Sequence, residues 1–430
     1  MPIRAIWTNR WGLGTPGRLS LSCALGDEDL AECAGRIQEQ VGGARQRRSP
    51  ARTGKYGVLA PGAPVIRQAW FMETPTSARR LDRLPKAHLH LHFTGSMRHS
   101  TLVELAAERG VHLPQALVEE WPPRLRATDE RGWFRFQRLY DIARSVLRKP
   151  EDMYRLLREA AEDERAAGSA WLEIQVDPSG YAALFDGLTA TLELILDAAR
   201  AAERDTGVAI GLMVAANRTR HPLDAKALAR LARQYAGKGV VSFGLNNDER
   251  RGRAREFEGA FRIARRAGLL STPHGGELQG PRSVRECLDE LSADRVGHGV
   301  RAIEDPYLVE RIATQEVTLE ICPTSNVGLG VYEDLEHLPL RRLFDAGVPI
   351  ALGTDDPLLF GPRLVEQYRI AREVFGFSDP ELAALAGMSI RGSGAPDSLK
   401  KELLGGVEAW LSSEPEEEPT PGASTPPGRA

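Results

Sequence analysis

Eight short apolar runs, most of them separated by longer stretches of helical period, recur through the middle of this chain. That alternation restricts the fold more than any other feature. The runs are AHLHLHF (87–93), AWLEIQV (170–176), AIGLMVAA (209–216), VVSFGL (240–245), LLSTPH (269–274), RVGHG (295–299), VTLEIC (317–322) and PIALGT (349–354). Short runs rich in Val, Ile and Leu read as buried strands. The segments between most of them are amphipathic at helical spacing, as in LDAKALARLARQYAGKG before the fourth run and REFEGAFRIARRAG before the fifth. Strands alternating with helices predict a parallel sheet. Eight such units predict an α/β fold closed as a (β/α)8 TIM barrel, with a doubly wound open sheet as the structural competitor.

One connection is long. Residues 98–168 separate the first two runs and hold several helical patterns. Ser100 is placed to cap TLVELAAERG. GWFRFQRLYDIARSVL carries closely spaced aromatics, read either as a local helical core or as a lid over the barrel mouth. The barrel domain is expected over 80–410. Residues 1–72 mix Gly, Arg and Ser and predict a disordered extension, with one possible helix near 27–41, and Met72 would itself make a natural start. The acidic, Pro-rich tail 412–430 is expected to be disordered too.

Composition excludes several classes. The net charge of −3 and the lack of a long basic block argue against a nucleic-acid surface. No apolar run is long enough to span a bilayer, and the N-terminus does not read as a signal peptide. Cys23, Cys33, Cys287 and Cys322 form no CxxC pair, so neither a disulfide framework nor a cysteine zinc knuckle is expected. A reducing cytoplasmic location is the simplest expectation.

The chemistry lies in what closes each run. The first carries His90 and His92, and the fourth leads into Asn246, Asn247, Asp248 and Glu249. His274 closes the fifth, with Glu277 three residues on; His298 closes the sixth; Asp355 and Asp356 follow the eighth. Barrel enzymes gather their working residues at the C-terminal strand ends, so these would converge. His90 and His92 are two apart on a strand and face one way, with His88 offering a third ring on that face. Alone, such a pair is as well explained by solvent-facing histidines. Three imidazoles and a carboxylate (His90, His92, His274, Asp355) bind zinc and leave a position for water, whose pKa then falls toward neutrality. His298 alone would be a packed core residue; beside a metal it becomes a base or electrostatic partner for that water. Glu277, in HGGE, would stand at the mouth as a proton donor rather than as a solvated loop residue. Asp355 and Asp356 cannot face the same way, so one takes the metal and the other turns to the substrate; a helix-capping turn is the plainer alternative.

LPKAHLHLHFTGSM, HGGE, RVGHGV, EICPTSN and ALGTDDP, in this order, resemble the adenosine deaminase family of the metal-dependent amidohydrolase superfamily over roughly residues 80–410. The resemblance implies one zinc ion on His90, His92, His274 and Asp355. It implies Glu277 as the donor to purine N1 and His298 as the residue that orients and deprotonates the water. Asp356 would be the partner of N7 and a shuttle to the leaving ammonia. His92, Thr94, Asn247 and Asp356 match the substrate-contacting positions. Thr94 stands where adenosine-specific members carry Asp for the ribose 5′-hydroxyl, Asn247 where they carry Gly, and His88 where Glu is usual.

The expected activity is hydrolytic deamination of adenosine or a related 6-aminopurine nucleoside, a small molecule. Aminodeoxyfutalosine, adenine and an N6-substituted adenine nucleotide are alternatives on the same mechanism. From other classes, a non-deaminase metal hydrolase and an inactive binding barrel are the alternatives. No Lys stands at the end of the fourth strand to bridge two metals, which favours one ion. Filled metal and acid/base positions argue against lost chemistry.

Overall fold

The computed structural model of this chain describes residues 79–415. The extension expected over 1–72 and the tail beyond residue 415 lie outside them. Among the described residues, eight parallel strands follow one another around a barrel in the order β1 to β8. They are Lys86–His92, Ser169–Val176, Ala209–Asn217, Val240–Asn246, Leu270–Gly275, Arg295–His298, Thr318–Ile321 and Ile350–Leu352. Each falls on an expected run within one or two residues. The sheet closes where β1 meets the end of β8. There Leu91 pairs with Asp355, His92 N donates to Asp355 O at 2.9 Å, and Asp355 N donates to His90 O at 3.0 Å. The open sheet is thereby excluded.

The long connection holds three helices, α1 (His99–Arg109), α2 (Glu130–Arg144) and α3 (Pro150–Ala166). Helix α1 starts one residue before Ser100, and its N-cap is Arg98, which makes no side-chain cap bond. Ser100 therefore lies in the first turn and is not the cap. The Arg98 guanidinium is instead drawn to Asp163 on α3 at 2.7 Å. Helix α3 opens with Pro at its first turn, and the Asp152 carboxylate accepts from Arg148 N and Lys149 N, both at 2.8 Å. Around the barrel follow α4 (Leu188–Thr206), α5 (Pro222–Gln234), α6 (Glu258–Arg265), α7 (Pro281–Leu291) and α8 (Pro306–Thr314). Short α9 (Pro323–Gly328) and α10 (Leu340–Asp345) precede β8. Then α11 (Pro357–Phe360), α12 (Leu364–Glu373), α13 (Asp379–Gly392) and α14 (Asp397–Ser412) end the described chain. None of these helices is long and apolar enough to cross a membrane.

Helices on the outside leave the strands buried on both faces, which is why they read as continuous apolar runs. The exceptions are charged and paired. Lys86, at the start of β1, donates from Nζ to the carbonyls of Leu81, Leu84 and Ala167 at 2.6–2.8 Å. Arg295, at the start of β6, reaches Glu173 on β2 and Glu320 on β7, both at 2.6 Å. These side chains are almost wholly shielded from solvent. Arg295 thus ties opposite walls of the barrel below the strand ends, and a buried ion of this kind is tolerable only because it is fully paired.

Candidate active site

Most of the strand-end residues singled out in the sequence line a cavity of about 670 Å³ at one end of the barrel; His90 and Glu249 do not line it. His92, His274, Glu277, His298, Asp355 and Asp356 line its floor, and Asn247 its wall. Helix α2 covers one side with Trp133, Phe134, Phe136, Gln137 and Tyr140. Trp133 and Phe136 are buried while Phe134 is exposed, so the α2 aromatics serve both as a local core and as the cavity wall.

Four imidazoles crowd together. Ring centroids are 4.7 Å apart for His90 and His274, 4.8 Å for His90 and His298, and 5.4 Å for His92 and His274. One possible ligand atom from each of His90, His274, His298 and Asp355 lies within 4.8 Å of the others, and His92, Asp355 and Asp356 form a second such group. Of the expected quartet, His90, His274 and Asp355 meet directly. His92 joins through Asp355, with Nε2 to Oδ1 at 3.0 Å. His298 stands as close to the cluster as the expected ligands do. A divalent cation fits these residues. His274 Nδ1 is buried without any hydrogen-bond partner, and the buried His90 Nε2 comes no nearer than 3.5 Å to Asp355 Oδ1; such underused polar atoms cost roughly 1–3 kcal/mol per group unless something binds there.

His88 does not share that face. The β1–β2 register shifts between His88 and Leu91. The His88 ring meets Glu164 of α3 at 2.7 Å through Nδ1, and Nε2 accepts from Thr354 N at 3.2 Å. It thereby fastens the outer helix to the segment before Asp355. A local bulge breaks the two-residue alternation that pattern reading assumes.

Thr94 does not line the cavity either. It is fully buried and its hydroxyl is hydrogen-bonded to the Tyr181 hydroxyl, while Tyr181 is the one that faces the cavity. Asn247 takes the left-handed conformation, φ 78°. Asn is among the non-glycine residues that accept it most readily, so Asn can stand where the resemblance leads one to expect Gly. Its amide donates to Gln137 Oε1 on α2 at 3.1 Å. His298 (φ 61°) and Asp355 (φ 62°) share this strained backbone region. Such residues cost about 1–3 kcal/mol each and collect at functional sites.

A further set holds these side chains and was not singled out as functional in the sequence. Glu320 accepts from His90 Nδ1 at 2.7 Å, Gln175 Nε2 lies 3.1 Å from His92 Nε2, and the Ser325 hydroxyl donates to Asp355. Asn326 Nδ2 lies 3.2 Å from His298 Nδ1, so its amide decides which ring nitrogen carries the proton. Ser325 and Asn326 belong to EICPTSN, and Glu320 was visible as a charge inside a buried strand run. Gly95 makes room for Asp356: a β-carbon there would fall 1.8 Å from Asp356 Oδ1.

The carboxyls differ in protonation. Against the cost of burial, hydrogen bonds from His90 and His92 hold Asp355 well below the usual range. Burial, helped by Asp355 and Glu249, pushes Glu277 well above it. Burial and Asp355 raise Asp356 to about 7, with His92 opposing. Burial and neighbouring imidazoles pull His274 well down and take His298 to about 3, so both are neutral. For His90, burial is outweighed by Asp355 and Glu320, and the ring is raised to about 10. The two carboxylates around it call for positive charge.

The sequence model of the adenosine deaminase family matches residues 85–410. A Streptomyces coelicolor protein, named provisionally as an adenosine/adenine deaminase, is 64% identical over 337 residues, 77% of this chain and 98% of the relative. The adenine deaminase of Arthrobacter aurescens superposes with a TM-score of 0.70 at 30% identity, covering 76% of this chain and 99% of that one. An amidohydrolase from Burkholderia ambifaria, crystallised with bound zinc, superposes with a TM-score of 0.68 at 25% identity, covering 79% and 99%.

Proposed function

The chain belongs to the adenosine deaminase family, and from that premise we propose that it removes the exocyclic amino group of a 6-aminopurine, adenine or adenosine, by hydrolysis at C6. It is a hydrolase acting on C–N bonds. The observation that carries the proposal is the meeting of His90, His274, His298 and Asp355, with His92 on Asp355, beside Glu277 and Asp356 at one cavity; the environment pushes the carboxyls in opposite directions, Asp355 down and Glu277 and Asp356 up. Carboxyls driven apart in this way mark acid and base roles.

His90, His92, His274 and Asp355 would hold one zinc ion, which when bound acidifies a water and supplies the nucleophile near neutral pH. Glu277, protonated, gives its proton to purine N1, which makes C6 electrophilic. His298 is uncharged, so a ring nitrogen is free to hold the attacking water in line and take up its proton. Asp356 faces N7 and passes a proton to the departing amine. The C6–O bond forms, the C6–N bond breaks, and ammonia leaves a 6-oxopurine. Asn247 and Gln137 edge the purine from the α2 side. Thr94 is buried behind Tyr181 and Tyr140, so no carboxylate at this position selects a ribose 5′-hydroxyl. That favours adenine as a substrate alongside the nucleoside.

One observation favours a second reading, an adenine nucleotide: Arg138, Arg144, Arg220 and Arg251 line the cavity. The test is release, by zinc-loaded protein, of ammonia from adenine, adenosine, 2′-deoxyadenosine, AMP and aminodeoxyfutalosine, and of methylamine from N6-methyl-AMP. Turnover of adenine or adenosine above the others supports the proposal, and preference for a nucleotide supports the second reading. Silence on all six overturns both. Glu277→Gln should keep its metal and lose about 10²–10⁴-fold in turnover, the usual worth of a positioned acid. Wild-type turnover in that variant would remove Glu277 from the reaction.

A further inference from the structure

Four consecutive backbone amides after His274 point at one side chain. Gly276 N, Glu277 N, Leu278 N and Gln279 N donate to the Glu249 carboxylate at 2.5, 3.0, 2.7 and 2.9 Å. The Ser283 hydroxyl, in the first turn of α7, donates to it as well. Glu249 is buried, three residues beyond the end of β4. The loop between β5 and α7 belongs to neither element, and among the described residues no main-chain acceptor serves these four amides. A run of amides converging on an anion is a nest, here filled by the protein's own carboxylate. Gly276 takes φ 71°, which lets the run curl.

The consequence falls on Glu277, whose backbone lies inside the nest and whose side chain reaches the cavity floor. We propose that Glu249 is a positioning residue for the reaction, its carboxylate fixing the loop so that the Glu277 carboxyl meets the purine ring. The inference rests on Glu277 being the proton donor. Bonds to an ionised acceptor are about twice as strong as neutral ones, so five of them onto one group make a stiff anchor. Amide replacement would offer one oxygen in place of two and turn an NH2 toward donors. Misplacement of a reacting group by about 1 Å costs on the order of 10²-fold in rate.

The test is a double-mutant cycle on the zinc-loaded enzyme, with adenine or adenosine, whichever the wild type turns over faster. Glu249→Gln should lower kcat by about 10²-fold, with KM and bound zinc unchanged. Added to Glu277→Gln, it should lower kcat no further, because the group it positions is already gone. Equal losses with and without Glu277, or an unaffected kcat in Glu249→Gln, would overturn the inference. If Glu249→Gln does not fold, Ser283→Ala removes one bond and no charge. A several-fold loss of kcat confined to the Glu277 background then supports the anchor, and no loss, or the same loss in both backgrounds, overturns it. The single variant Glu277→Gln keeps the two ideas apart. If it alone turns over normally, the proton-donor reading fails and the inference with it. If it is impaired while Glu249→Gln is not, the inference alone fails.

Discussion

Gly95 shows how little room a single atom has here. A β-carbon at that position would overlap Asp356 Oδ1, so Gly95→Ala should drive the Asp356 carboxyl from its place. The expected outcome is loss of roughly 10²-fold in kcat/KM with full metal content, checked by kinetics beside metal analysis. Asn247→Gly should relieve a strained φ and release the Gln137 contact. Relative kcat/KM among adenine, adenosine and AMP should therefore change while metal content does not; an unchanged preference would take Asn247 out of substrate selection. Glu277 carries a linkage prediction for the metal-free protein. Its carboxyl is raised above its ordinary value near 4.5. The stability this gives is full below pH 4.5 and is lost as pH rises through the raised value. Glu277→Gln escapes that loss, so its Tm should move from near parity with the wild type at pH 4 to above it at pH 8. A constant difference would mean that Glu277 is not held protonated. Many of the residues that meet at the candidate site were legible as polar side chains closing apolar runs: His90, His92, His274, His298, Asp355. Glu249 was read only as part of a strand-end cluster, because its partners are main-chain amides that leave no mark on the sequence. Thr94 was read for its position after His92, but its buried bond to Tyr181 depends on a loop far along the chain.

At the scale of elements, the strands were legible because outer helices force them to be apolar on both faces. What failed was local. The shift in β1 sends His88 to α3 instead of the cavity, and periodicity cannot register a bulge. The start of α1 was misread because Arg98 is drawn to α3. The double use of α2 was legible only as two competing readings, since Trp133 and Phe136 are both core and wall. The buried Arg295 pairs with Glu173 and Glu320, and Glu320 in turn holds His90. Arg295→Met would strand two carboxylates in the barrel. It should cost about 3–5 kcal/mol, as broken buried pairs do, measured by denaturant unfolding. A cost below about 1 kcal/mol, the range of surface pairs, would show that the network is not shielded from water.

The described residues form a barrel whose interior is closed below by paired charges and opens above to the cavity. The proposed chemistry requires the ends of β1, β5 and β8 to converge on one ion and, with those of β4 and β6, on one substrate. Titrating zinc into chelator-stripped protein, while following ammonia release from adenine and adenosine, tests that convergence directly. The account predicts no turnover without metal, a linear rise on addition, and a break at one ion per chain. Full ammonia release from the stripped protein, or a break at two ions, would contradict it.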